Sequence, residues 1–147
     1  MTILIAAMML VLFSSTTFAN ECELSISATD TMQFDKKRLS VPASCKEVTL
    51  TLAHSGQLPK SAMGHNWVLS IAGDMQAIAN DGMAAGAVNS YVKPDDSRVI
   101  AHTDIIGGGE STSITFSIAD LVPNNDYRFF CSFPGHWAIM QGSFSIK

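Results

Sequence analysis

Apolar and polar residues alternate with a period of two along most of the chain, the signature of half-buried β-strands. Leu24 and Ile26 alternate with Glu23, Ser25 and Ser27, and Val48, Leu50 and Leu52 with Glu47, Thr49 and Thr51. The same rhythm returns at Ile114, Phe116 and Ile118 among Ser113, Thr115 and Ser117. Trp67, Leu69 and Ile71 form another strand, Val99 to Ala101 a short one, and Phe144 and Ile146 close the chain. Tyr127, Phe129 and Cys131 share one strand face, with Arg128 and Phe130 on the other. A looser segment holds Phe34, Leu39 and Val41, broken by Lys36-Lys37-Arg38 and Pro42, and Ser55 to Lys60 reads as a turn or loop. Gly73 to Met83 changes character: Asp74 is placed to cap a helix from Met75, with Ala77, Ile78 and Ala79 inside and Gly82 near its end. About eight short strands with turn signals between them, and this one helix, predict an all-β antiparallel sandwich in a single domain.

The first stretch differs in kind. Ile3 to Phe13 is apolar but shorter than a bilayer span, and Thr17-Phe18-Ala19 offers small residues where signal peptidase cuts. Residues 1–19 therefore read as a secretory signal peptide, although Met1-Thr2 carries neither Lys nor Arg, and 20–147 as the mature, exported domain. That domain carries the whole formal charge of −4, because the leader has no charged residue. Mild acidity without a Lys/Arg cluster argues against nucleic acid as a partner.

The candidate chemistry is concentrated in one loop, Cys131-Ser132-Phe133-Pro134-Gly135-His136-Trp137-Ala138-Ile139-Met140. It places a thiol, an imidazole and a thioether in the order Cys-x4-His-x3-Met, with Pro134-Gly135 forcing a turn before the imidazole. One Cys thiolate and two His nitrogens in a plane, with a long axial Met, suit copper and fast electron transfer. The loop supplies three of those groups, and His65 is the best candidate for the fourth. It heads a strand in Met63-Gly64-His65-Asn66-Trp67, where Gly64 lets the backbone approach a metal and offer its carbonyl as a weak axial contact. Asn66 is placed to hydrogen-bond across to the Cys131 loop.

Other readings of these residues are weaker. A buried apolar thiol with Met140 in the core leaves the accompanying His and Pro-Gly unexplained. A nucleophilic Cys131 with a His base needs an orienting group and an oxyanion site that nothing near the loop supplies. Structural zinc prefers a fourth strong donor to a Met. Three cysteines in an exported chain allow three pairings. If Cys131 is needed as a thiolate, Cys22 and Cys45 pair, which stabilises the fold by about 3 kcal/mol in the chain-entropy model.

Three stretches in register resemble the azurins, bacterial periplasmic blue-copper proteins of the cupredoxin family. They are Met63 to Ser70, Lys93-Pro94-Asp95-Asp96-Ser97-Arg98-Val99-Ile100-Ala101-His102-Thr103, and Phe129 through Cys131 and His136 to Met140. The resemblance runs from Glu21 to Lys147 and includes the spacing of Cys22 and Cys45. It implies a Greek-key β sandwich of the cupredoxin type with a helix outside the sheets. It implies one copper ion cycling between Cu(I) and Cu(II), with His65, Cys131 and His136 as equatorial ligands and Met140 and the Gly64 carbonyl as distant axial ones. Backbone N–H groups of Asn66 and Phe133 would face the sulfur.

The function implied is periplasmic electron transfer, not enzymatic catalysis, by a monomer that is not membrane-bound. The partners implied are c-type cytochromes and periplasmic reductases or dehydrogenases such as nitrite reductase. An apolar docking patch around His136 would comprise Leu58, Met63, Met83, Phe133, Pro134, Trp137 and Ile139, with Ala84 beside it. Trp137 departs from the family pattern, which implies a smaller residue directly after the second His. The His matching His54 lies near the copper without binding it, and His102 matches a surface His. A copper-storage or delivery protein built on the same site is the alternative.

Overall fold

In the computed structural model, which describes residues 20–147, nine strands form two facing sheets. The stretch read as a signal peptide, residues 1–19, lies outside the described residues. The first sheet runs in the order β2 (Gln33–Phe34), β1 (Glu23–Thr29), β4 (Glu47–His54), β7 (Ser111–Ser117). The second runs β3 (Arg38–Val41), β9 (Gln141–Ile146), β8 (Tyr127–Phe130), β5 (Val68–Ile71), β6 (Ala101–His102).

The period-two pattern explains the layering. Val48, Leu50, Leu52 and His54 of β4 are all buried, while Glu47 and Thr51 face outward and Thr49 and Ala53 are half-buried. From the opposing sheet Leu39, Val41, Leu69, Phe129 and Phe144 meet them, with Trp67 and Phe116 between, in one apolar core. Trp67 and Phe129 stack at 6.1 Å, and Phe34 meets Phe129 edge-on at 5.6 Å. The surroundings of Trp67 are so thoroughly apolar that its Nε1 is a buried donor with no partner.

Two features differ from expectation. The sheets are mixed: β1 pairs parallel with β4, and β3 parallel with β9. Alternation reports which face of a strand is buried but not which way it runs, so parallel pairs are invisible to it. The chain also forms a one-turn helix, α1 (Lys60–Met63), at the end of the stretch read as loop; none of its residues is buried, so no apolar stripe announced it.

The expected helix is present as α2 (Met75–Ala85), lying outside the second sheet on a separate small core. Its buried residues Met75, Ile78, Ala79 and Gly82 recur at helical spacing and pack against Val68, Val92 and Phe130. Asp74 precedes it but makes no side-chain cap, because a 3₁₀ turn over Ala72–Asp74 already holds it in helical geometry. Cys22 and Cys45 form a disulfide that joins the entries of β1 and β4.

Candidate metal centre

β5 and β8 lie antiparallel with Val68 opposite Phe130. Residues just before β5 therefore emerge at the same end of the sheet as residues just after β8, which brings His65 to Cys131. His65 is held again by a bridge to Ile106, each N–H donating to the other's carbonyl at 3.0 and 2.9 Å. The loop from Cys131 back to β9 is closed by Cys131 N–H donating to the Met140 carbonyl at 3.0 Å. Inside it, the N–H groups of Ile139 and Met140 both donate to the His136 carbonyl, at 3.1 and 2.8 Å. His136 and Met140 are thereby one tight turn apart.

Three donor atoms converge as a result. Cys131 Sγ lies 3.8 Å from His65 Nδ1 and 3.6 Å from His136 Nδ1, and all three atoms fall within 4.8 Å of one another. Cys131 and His65 are fully buried and His136 is 4% exposed. Met140 is also fully buried, its backbone paired with Cys131 across the loop mouth. The Gly64 carbonyl lies 3.9 Å from the sulfur. A side chain at Gly64 would drive its Cβ to 2.5 Å from the Lys60 carbonyl and 3.0 Å from Phe133, so only glycine fits there.

Burial sets the protonation of these groups. It pushes the Cys131 thiol up to about 12, opposed by the backbone N–H groups of Asn66 and Phe133, which face the sulfur. It lowers His65 to about 4, partly opposed by the Thr29 carbonyl, and it lowers His136 as well. Both imidazoles are therefore neutral at neutral pH, the form a metal needs. His65 Nε2–H donates to the Thr29 carbonyl at 2.9 Å, which leaves the Nδ1 lone pair pointing at the sulfur.

A first-row ion bonded at about 2.0–2.1 Å to nitrogen and 2.3 Å to sulfur sets N···S separations of about 3.5–3.8 Å for tetrahedral to trigonal angles. The observed 3.6 and 3.8 Å leave room for one ion held by all three. Among the described residues the cluster contains no carboxylate and no second thiolate. With a buried thioether and a backbone carbonyl as the remaining neighbours, this soft donor set fits copper better than structural zinc.

Asn66 ties the two chain segments together. Its Nδ2 donates to Ser132 Oγ at 2.8 Å and to the Ser90 carbonyl at 2.7 Å, and its Oδ1 accepts from Ser132 N–H at 2.9 Å. His54 is buried against the site, its ring 4.5 Å from that of His65. It is satisfied on both sides, donating from Nε2 to the Met63 carbonyl and accepting at Nδ1 from Gly56 N–H, both at 3.0 Å. The carboxylate of Asp30 lies 3.8 Å from it. His102 is half-buried on the edge strand β6, outside the donor cluster.

The residues expected in an apolar patch divide into two groups. Leu58, Met83, Ala84, Pro134 and Ile139 are exposed, and Met63 and Phe133 half-buried. Trp137 is half-buried and packs onto the small core beneath α2. Sequence reasoning did not single out Thr29, Ser90 or Ser132. Thr29 acts through its carbonyl from 36 residues away, so no side-chain motif marks it.

Residues 20–147 match the family of copper-binding proteins described as plastocyanin/azurin. The chain is 54% identical to an azurin of Bordetella pertussis over 134 residues, covering 91% of this chain and 89% of the relative. It is 51% identical to an azurin of Pseudomonas aeruginosa over 144 residues, covering 98% and 97%. Among solved structures, an azurin (Az-iso2) of Methylomonas sp. strain J superposes with a TM-score of 0.83 at 46% identity, covering 86% of this chain and 98% of that one.

Proposed function

We propose, for a chain that belongs to the plastocyanin/azurin family of copper-binding proteins, that it works in the periplasm as a blue-copper electron carrier and not as an enzyme. Residues 1–19 act as the export leader, and residues 20–147 work as a monomer. Cys131, His65 and His136 would hold the copper, with Met140 and the Gly64 carbonyl as its weaker neighbours. The partners are c-type cytochromes and periplasmic reductases or dehydrogenases, nitrite reductase among them, met briefly over a small area.

The observation that carries this reading is the buried convergence of one thiol sulfur and two imidazole Nδ1 atoms within 4.8 Å. Bound copper supplies the Cu(I)/Cu(II) couple. The rest is done by the chain. Thr29 fixes the tautomer of His65, and Asn66 locks the His65 segment to the Cys131 loop. N–H groups of Asn66 and Phe133 favour negative charge on the sulfur. The two sheets hold the donors in one arrangement, so little has to move when the oxidation state changes. Exposed Leu58, Met83 and Ile139 offer a partner an apolar approach to the His136 side.

The test is optical. Purified protein titrated with Cu(II) should develop an intense band at about 600 nm, the thiolate-to-copper charge transfer of such a site, and lose it on reduction. Binding of Cu(I) without that band in the oxidised state would point instead to storage or delivery.

A further inference from the structure

Two consecutive residues near the metal loop hold a backbone conformation that side chains rarely adopt. Ser90 has φ +54° and Tyr91 φ +53°, and neither is a glycine. Such strain persists only where the surroundings enforce it.

They do so here from several sides. The Ser90 carbonyl accepts from Asn66 Nδ2 at 2.7 Å, and its Oγ accepts from Ile105 N–H at 3.1 Å. Tyr91 N–H donates to the Gly86 carbonyl at 3.0 Å. The Tyr91 carbonyl is pressed so closely on α2 that a Cβ at Gly82 would lie 2.0 Å from it. A glycine in mid-helix weakens the helix, and here it makes room for this turn.

The strained turn aims a ring. Tyr91 meets Phe133 edge-on, centroids 5.2 Å apart at 72°. Phe133 in turn lies against the imidazole of His136, 4.6 Å away at 37°. Phe133 is thus clamped between Tyr91 and His136, and the residue before it, Ser132, is held by Asn66, which also grips the Ser90 carbonyl. One turn therefore braces two successive residues of the metal loop.

We infer that Tyr91 is a positioning residue that, through Phe133, fixes the ring plane of His136. The brace needs the ring of Tyr91 and not its hydroxyl, because among the described contacts the ring makes the link to the loop. This inference rests on the copper-carrier reading only for its consequence in electron transfer; the brace itself is a property of the polypeptide.

The test uses Tyr91→Phe, Tyr91→Ala and Tyr91→Gly. Tyr91→Ala removes the ring and keeps the strain, whereas Tyr91→Gly removes the ring and relieves it. Effects shared by those two therefore belong to the ring and not to folding. The first readout is the flip rate of an isotope-labelled Phe133 ring by NMR, in the metal-free and the Cu(I)-loaded protein. Tyr91→Ala and Tyr91→Gly should both raise it several-fold, up to about tenfold, with Tyr91→Phe at the wild-type value. The second is the electron self-exchange rate of the loaded protein, which should fall about tenfold in the same two variants at unchanged copper content. Unchanged ring flipping in Tyr91→Ala and Tyr91→Gly, or a loss in Tyr91→Phe equal to theirs, overturns the inference. Failure of copper binding in the wild type counts against the carrier reading alone, because the metal-free measurement still decides the brace.

Discussion

Strand β4 has sulfur chemistry at both ends. At its entry the Cys22–Cys45 disulfide ties it to β1; at its exit His54 lies under His65, beside the Cys131 thiol. The two ends are about 25 Å apart, from the rise of an eight-residue strand. Each site holds together chain segments distant in sequence, by opposite means. The disulfide does so covalently and asks little of its surroundings. The thiol end relies on Asn66, Thr29 and the Cys131–Met140 pairing to gather groups that have no covalent link. A buried thiol pushed up to about 12 is a poor anion on its own, and only a cation placed against it reverses that. One end is finished by folding, while the other is prepared for a ligand.

The largest expected effect separates the two ends outright. Cys131→Ser should abolish the blue band completely, whereas Cys22→Ala with Cys45→Ala should leave the spectrum of the loaded protein unchanged. A blue Cys131→Ser protein would overturn the ligand assignment. The disulfide variant should instead lose about 3 kcal/mol of stability for the 23-residue separation, read from denaturant unfolding of the metal-free protein.

An acid titration of the metal-free protein probes the thiol end, where burial lowers both imidazoles. His65 is held at about 4 against an ordinary 6.5, so acid favours the unfolded chain, which binds the proton first. The contribution of His65 is complete above about pH 6.5 and is lost as pH falls to about 4. The loss is about 3 kcal/mol at 1.36 kcal/mol per unit. A stability curve flat across that window would contradict the burial argument.

Asn66→Ala should cost about 2 kcal/mol, because it leaves buried partners in the Ser90 and Ser132 segments unsatisfied. It should also speed copper loss, measurable by transfer to a chelator. The smallest change is expected from Met140→Gln, which should keep the copper and the colour while lowering the reduction potential, as measured by voltammetry.

Much of the thiol end was legible in the sequence because its chemistry is local: Cys131, His136 and Met140 lie on one loop, and a site of that kind demands a second imidazole. The disulfide was legible by parity once Cys131 was set aside. The period-two runs located the strands, since burial of one face imposes that period. Parallel pairing of β1 with β4 was not legible, because strand direction leaves no trace in alternation. Nor was α1, a single exposed turn without an apolar face. The supports of the site were the hardest to read. The Thr29 carbonyl could belong to any residue type, and the left-handed turn at Ser90 and Tyr91 lacks the glycine or asparagine that usually announces one.

The outermost strands also bear on how such a molecule behaves when crowded. β2 and β6 are two residues long and β3 four, too short to template another chain. Among the described residues β7 is the longest strand at a sheet edge, and Ser111, Thr112, Ser113, Thr115 and Ser117 make its sequence mostly polar. Short or polar edges of this kind disfavour strand-to-strand pairing between copies, a liability that a two-sheet sandwich otherwise carries at every open border.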